Sequence, residues 1–591
     1  MPSKASKAFT SPSVRPARSS NTSASSMTVT ATYGSSSSSV FGITVALGLA
    51  AHQVFRKYET YNINVHATIL FAPPILLTLV TGSTSQRTLL HALFLNFATY
   101  LTTLALSVLI YRISPIHPLA RYPGPIGCKV SKFWLGFVCI PGFQHRYIKS
   151  LHERYGDVVR IGPNELSIRD STVLNALLGT SGLPKGPHFV GRLLTDSDLP
   201  MVAIQDTETH LRRRKTWNRA MGPAAIREYE HFIARRARQL VERLEEHKGV
   251  INIGNWFNYF SYDFMSDMAF GGGSELLEAG HDRGNVWALL EEAMFIASFF
   301  GHVPWLGMYF GKIPAATGNL VVLLNSCAER TTARLKRGSE KKDLFHYLNN
   351  EDLPDKAPPP LQHLVNDGIL AIIAGADTAS IALTSIAYCL LTHPDVYERL
   401  QAEIDKFYPA GEHALDTKHH RDMPHLTAVI NETLRVFPPV PGGSQRCVPH
   451  DAKTVIAGNI VLPPGTSVWP HVYSHHLDAR NFSPYTTEFW PERWLLASGD
   501  LSPSDPSARG VSPSSPEFRH DEAGFIPFSS GPMNCVGKSL AMQEMRMVLC
   551  AFLQKFRMRA KEGWDARTYE GNYRDYFTAQ RPELPVVLEV R

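Results

Sequence analysis

The run Phe528-Ser529-Ser530-Gly531-Pro532-Met533-Asn534-Cys535-Val536-Gly537 leads directly into a helical pattern over 538–556. A thiolate needs hydrogen-bond donors and positive potential to stay deprotonated, and backbone N–H groups at a loop-to-helix junction supply both. Cys535 stands at that junction. Gly531 and Gly537 remove side chains where the backbone must turn tightly or approach a flat ligand, and Phe528 offers a ring to pack against it. A free cysteine by itself is usually a buried, unreactive hydrophobe, so the reading rests on the setting of Cys535.

A second polar pair interrupts the long apolar pattern 361–391, in Ala374-Gly375-Ala376-Asp377-Thr378. A threonine inside a helix can bond the backbone one turn back and, next to a small glycine, open a local bend with room for oxygen and water. Outside such a setting an Asp-Thr pair usually faces solvent. Glu432 and Arg435 share one face of a helix predicted over 424–437, a spacing that on its own describes a weak surface ion pair. His210 and Arg214, four residues apart in a basic run, can both reach one anionic group, or else form a solvated basic face.

Taken together, these segments resemble the cytochrome P-450 superfamily, and fungal membrane-bound members in particular. Cys535 falls on the ligand position of the family's FxxGxxxCxG haem loop, Asp377 and Thr378 on its AGxDT oxygen-activation motif, and Glu432 and Arg435 on its ExxR helix. Arg493, in Phe489-Trp490-Pro491-Glu492-Arg493, falls on the later segment that pairs with that helix. The resemblance covers about residues 120 to 591. It implies haem (heme b) with iron bound by the Cys535 thiolate, Phe528 and Gly531 lining the haem loop, and His210, Arg214 and Arg446 serving the haem propionates. Thr378 would steady the oxygen being activated and Asp377 would feed protons to it, while a Glu432–Arg435–Arg493 network would lock the fold. One position departs from the pattern: Met533 stands where the family usually has Arg or His, so a propionate contact must come from elsewhere. The aromatic residues Phe295, Phe299, Phe300, Trp305, Tyr309 and Phe310 fall where related enzymes admit substrate beside the lipid surface, although most such clusters are core.

These residues need a scaffold. The expected fold is mainly α with a smaller β part, the cytochrome P-450 fold, preceded by N-terminal transmembrane segments. Helical patterns cover 208–220, 224–247, 361–391, 395–407, 424–437 and 537–556, and strand patterns cover 157–168, 454–457 and 585–590. Residues 1–39 read as a disordered Ser-rich tail and 40–111 as membrane-anchoring apolar segments with one to three spans. Of the apolar stretches 40–55, 66–80 and 89–110, only the third has the ~20 residues of a comfortable span. Pro73 and Pro74 break the middle one, which suits a re-entrant or interfacial segment. Residues 112–139 read as a Pro/Gly-rich linker and 140–591 as one catalytic domain, with a surface insertion near 498–520.

A net charge of +6, from 59 basic and 53 acidic residues, leaves no broad footprint for nucleic acid. Seven scattered cysteines without a CxxC pair indicate a reducing compartment and no structural zinc. The expected activity is insertion of one oxygen atom from O2 into an apolar small molecule, in secondary or xenobiotic metabolism. No G-x-G-x-x-G fingerprint follows a strand and no flavin domain is present, so electrons would come from a separate NADPH-dependent flavin reductase. The expected location is the endoplasmic reticulum membrane, in contact with lipid, with the catalytic domain facing the cytosol. A peroxygenase or isomerase would need no reductase, and Asp377 and Thr378 argue against both. A non-catalytic membrane receptor or scaffold would tolerate loss of Cys535.

Overall fold

A computed structural model describes residues 37–81, 86–314, 318–338 and 341–591. The tail expected over 1–39 therefore lies outside the described residues up to 36. The chain divides into two compact units, one holding residues to Ala51 with Ile69–Leu104, the other His52–Thr68 with Ala105–Arg591.

Three helices pass through the first unit: α1 (Ser37–Lys57), α2 (Ile63–Thr81) and α3 (Gln86–Ile113). All three are long and apolar enough to cross a membrane, not the third alone. α1 reaches that length because its helix runs on into the polar residues that flank the apolar stretch. α2 also differs from expectation, since Pro73 and Pro74 lie inside an unbroken helix. Pro73 has no N–H for the carbonyl of Ile69, and the Tyr100 hydroxyl donates to that oxygen instead, at 2.6 Å.

The second unit is helical around a small four-stranded sheet. Strands β1 (Val158–Gly162) and β2 (Glu165–Ile168) form a hairpin. β3 (Arg446–Cys447) and β4 (Ser467–Pro470) complete the order β1-β2-β4-β3, with β2 and β4 parallel and β3 antiparallel to β4. Residues 112–139 do not behave as a linker throughout. Leu119, Tyr122, Cys128, Leu135 and Cys139 are buried, and the Tyr122 hydroxyl donates to Val461 O at 2.9 Å. The prolines shape turns there, but apolar side chains draw the segment into the core. Part of 498–520 is likewise anchored, since Ala508 and Phe518 pack with Trp490 and Leu496.

Six helices position the site. α4 (Thr207–Ala220) starts at Asp206, whose carboxylate accepts from Thr209 N–H at 2.8 Å. α5 (Ile253–Phe270) is buried on almost every face and crosses the centre of the core. α6 (Leu361–Ile372) and α7 (Thr378–Thr392) are joined without a break by a π turn over Ile373–Asp377. This stretch matches α1 to α3 in length and apolarity, yet most of it is buried among other helices, so it is core. α8 (Pro424–Val436) opens with proline at its first position. Its N–H groups at His425 and Leu426 donate to the Glu403 carboxylate at 3.0 and 2.8 Å. α9 (Lys538–Lys555) follows the cysteine loop.

Glu403 thus caps the helix that carries Glu432. Glu403→Ala should lower stability by about 1–2 kcal/mol, measured as a lower thermal midpoint, whereas Glu403→Gln, which keeps an acceptor oxygen, should lose less.

Candidate active site

The loop before α9 is a tight backbone cradle. Cys535 N–H donates to Phe528 O at 2.9 Å and Asn534 N–H to Gly531 O at 3.1 Å. Gly531 has φ +72°, and a Cβ there would stand 1.8 Å from Leu178 O, so no other residue fits. The Cys535 side chain is accessible although dense protein surrounds the loop. Burial therefore pushes its thiol pKa up, while the Gly537 N–H and the charges of Arg214 and Lys185 oppose that shift. Cys535 is exposed although its loop packs closely on Leu178, which leaves the residue open to a ligand.

Cations collect around this loop. Arg214, on α4, clasps Asn534 with two nitrogens, at 2.6 Å to the carbonyl and 2.8 Å to Oδ1, and its third bonds Asn218 Oδ1 at 2.9 Å. The Arg214 guanidinium is thus engaged by Asn534 and Asn218. His210 is buried and pushed down to about 4, first by burial and then by Lys185. Its Nδ1 contacts Met201 O at 3.1 Å and its Nε2 has no partner among the described residues.

Arg446, on β3, is fully buried. Its Nη1 lies 3.1 Å from Met533 Sδ, and its Nε and Nη2 have no partner among the described residues. Burial lowers its pKa to about 10, so it stays cationic at neutral pH. Lys185 reaches the same place from another part of the chain through a β-bridge to Arg446. Its Nζ lies 3.2 Å from Ser444 Oγ and 3.4 Å from Met533 O. Burial first, then Arg446, holds its pKa well below the ordinary lysine value. Sequence reasoning missed Lys185, because nothing local distinguishes Pro184-Lys185-Gly186; only the strand pairing brings it to Arg446.

On the interior helix, Thr378 Oγ1 donates to Ala374 O at 2.7 Å, one turn back and across the π turn. Ala374 is exposed, between neighbours that are half-buried or, at Ala376, buried. On another side the helix is tight against α5: a Cβ on Gly375 would stand 2.6 Å from Met265 Sδ. Asp377 is raised to about 6, chiefly by burial, while a hydrogen bond from Thr578 and the charge of Arg581 act in the opposite direction. Thr578 begins β6 (Thr578–Gln580), which pairs with β5 (Arg574–Tyr576). Asp377, Glu291, Thr578 and Gln580 border a cavity of about 10 Å³, room for one water.

Glu432 is fully buried. Arg435 Nε and Nη2 donate to its two oxygens at 2.9 and 2.8 Å, and Arg493 Nε donates to Oε1 at 3.0 Å. Trp490 N–H and Trp494 Nε1 add bonds of 3.0 and 2.9 Å. The two tryptophans are members that the ExxR spacing did not reveal. Of the aromatic cluster, Phe300 is buried and Phe295 is 40% exposed, so it is part core and part surface.

The cytochrome P-450 family model matches residues 122–582, a span that includes every site residue above. The chain belongs to the cytochrome P-450 family. Cytochrome P-450 monooxygenase FCK2 of Fusarium pseudograminearum is 32% identical, over 83% of this chain and 85% of its own length. Cytochrome P-450 monooxygenase notG' of Aspergillus versicolor is 31% identical over 92% and 96%. Tryprostatin B 6-hydroxylase of Aspergillus fumigatus is 32% identical over 84% and 85%. The chain is thus an oxidoreductase of the monooxygenase class, and the family implies a haem-thiolate cofactor, O2, a small-molecule substrate and a redox partner. The site fits that cofactor. A buried guanidinium without counter-charge is costly, and Arg446 with Lys185 at its side and an exposed Cys535 nearby suit a flat ligand that brings two carboxylates and a metal.

Burial would raise the Glu432 carboxyl, but Arg435 and Arg493 outweigh it and hold the pKa at about 2, against an ordinary 4.5. A depressed carboxyl stabilises the fold above its unfolded pKa and loses that contribution as pH falls through the folded one. Stability should therefore decline between about pH 4.5 and 2. Glu432→Gln, measured by denaturant unfolding at neutral pH, should cost about 3–5 kcal/mol, and its acid decline over that window should be shallower.

Proposed function

We propose that this chain inserts one oxygen atom from O2 into an apolar small molecule, with NADPH-derived electrons from a separate flavin reductase, and that it works in secondary or xenobiotic metabolism. The observation that carries the reading is the accessible Cys535 thiol in its glycine-shaped loop, beside buried cations that lack an anion. Bound haem supplies the oxygen chemistry, and a thiolate ligand favours O–O cleavage.

The chain's own residues hold, orient and protonate. Cys535 is the proposed iron ligand, with the Gly537 N–H and Arg214 stabilising negative charge at Sγ. Gly531 lets the loop close on Leu178, and Phe528 packs on the core that holds α9. Arg446 Nε and Nη2 and Lys185 Nζ are the donors for the two carboxylates, so Lys185 answers the charge that Met533 does not supply. His210, neutral near pH 7, offers Nε2 only as a minor partner. Thr378 Oγ1 holds a hydrogen bond beside the widened turn, and Asp377, with a carboxyl near pH 6, exchanges protons with the water-sized cavity. Glu432, Arg435 and Arg493 lock α8 to the segment before the loop. We place the protein in the endoplasmic reticulum membrane with its catalytic domain in the cytosol.

Three measurements test this. The reduced protein with carbon monoxide should show the thiolate-ligated haem spectrum, and Cys535→Ser should lose it; an imidazole-like spectrum overturns the reading. Turnover of an apolar panel that includes tryprostatin B should require NADPH and reductase, and Thr378→Ala should keep NADPH consumption while product falls about tenfold or more; turnover with peroxide alone would sink the reading. Lys185→Met should lower the haem-to-protein ratio, and Met533→Arg added to it should restore binding.

A further inference from the structure

We propose that α1, α2 and α3 form a bundle that crosses the bilayer three times, with the tail before α1 on one face and the α1–α2 turn on the other. This deepens the membrane-anchored reading above by assigning number and direction to the crossings. The first unit is inside-out relative to a water-soluble bundle. Its polar side chains Thr44, Thr78 and Asn96 are buried, while Phe41, Phe71, Leu79, Val80 and Phe94 are more than half exposed. Asn96 Nδ2 donates to Thr78 Oγ1 at 2.9 Å, and Thr44 Oγ1 lies 3.4 Å from Asn96 Oδ1, so one residue ties all three helices together. Water would favour the opposite arrangement, whereas hydrocarbon demands internally satisfied polar groups and accepts an apolar surface all round. A helix lying on a membrane surface would instead keep one polar face outward.

The contacts also set direction. Thr44 meets Asn96, and a Cβ on Gly48 would stand 3.1 Å from Thr103. Farther along, within the second unit, His52 Nδ1 lies 2.6 Å from Ser107 Oγ. Both positions rise together, so α1 and α3 run parallel, and α2 must carry the chain back across between them. The turn between α1 and α2 belongs to the catalytic unit, where Glu59 pairs with His450 at 3.1 Å. Basic residues agree: Arg56, Lys57, Arg112 and Arg121 fall on that face, against Arg87 at the far turn, while Lys4, Lys7, Arg15 and Arg18 precede Ser37 by 19 or more positions in the sequence. An odd number of crossings puts Asn21-Thr22-Ser23, an N-glycosylation acceptor, on the lumenal face.

The test uses the full chain in sealed yeast microsomes with a membrane-impermeant maleimide, each variant read above the parent chain's own labelling. Asn62→Cys should label in sealed vesicles and Ser20→Cys only after permeabilisation, and a glycan should be present that Asn21→Gln removes. Labelling of Ser20→Cys in sealed vesicles, protection of Asn62→Cys, or no glycan on Asn21 would each overturn the three-span arrangement. Release of the protein by alkaline carbonate would instead overturn membrane anchoring itself.

Discussion

The fold around the cysteine depends on one buried carboxylate. Glu432 has no water to solvate it, so its charge persists only because two guanidiniums and two tryptophan N–H groups converge on its oxygens. Both guanidiniums are themselves committed elsewhere: Arg435 donates to His476 O at 3.0 Å and Glu488 O at 2.8 Å, and Arg493 to Pro484 O and Tyr485 O at 3.0 and 2.9 Å. Backbone carbonyls of an irregular segment are thereby satisfied without a sheet or helix of their own. The network then reaches the cysteine loop. His476 Nδ1 lies 3.2 Å from Arg435 O, and its Nε2 accepts from Ile526 N–H at 3.0 Å. Burial keeps that imidazole neutral, lowering it to about 3, which suits one donor and one acceptor nitrogen.

Charge around the loop is arranged differently. At Glu432 the protein supplies both signs; near Cys535 it supplies mostly positive charge. Lys185, Arg446 and Arg214 converge on the residues just before the cysteine, and two of Arg446's nitrogens are unpaired. Electrostatic imbalance in a folded interior is tolerated where a ligand completes it. Met533 fits the same account, because its thioether lies against Arg446 Nη1, where a fourth cation would meet strong repulsion from its neighbours.

The interior helix solves a separate problem, in which an open face must adjoin a continuous core element. The π turn over Ile373–Asp377 widens the backbone and leaves Ala374 exposed, while Gly375 allows Met265 to pack closely on another side. One change of helical hand-hold thus combines a packed face, an open face and a polar pair. Asp377 is turned toward the β5–β6 hairpin, and its link with Thr578 and Arg581 depends on the distant C-terminal strands.

Local chemistry was legible where a short segment contains its own physical reason. The cysteine loop, the Asp377-Thr378 pair and the ExxR spacing all lie within a single loop or helix, and amphipathic or capped helices such as α4 and α8 were found to within a residue or two. α5 escaped notice because it is buried all round and aromatic-rich, so it shows no helical stripe. Pro73 and Pro74 misled because the hydroxyl that replaces the missing donor belongs to Tyr100 on another helix. The chain alone therefore determined which residues are the candidates for thiolate and proton chemistry and what class of fold holds them, since those depend on neighbours a few positions away. Only the tertiary structure decided that Arg214 holds Asn534, that Lys185 joins Arg446, and that α1 and α3 run parallel, because each rests on partners distant in sequence whose meeting no local pattern encodes.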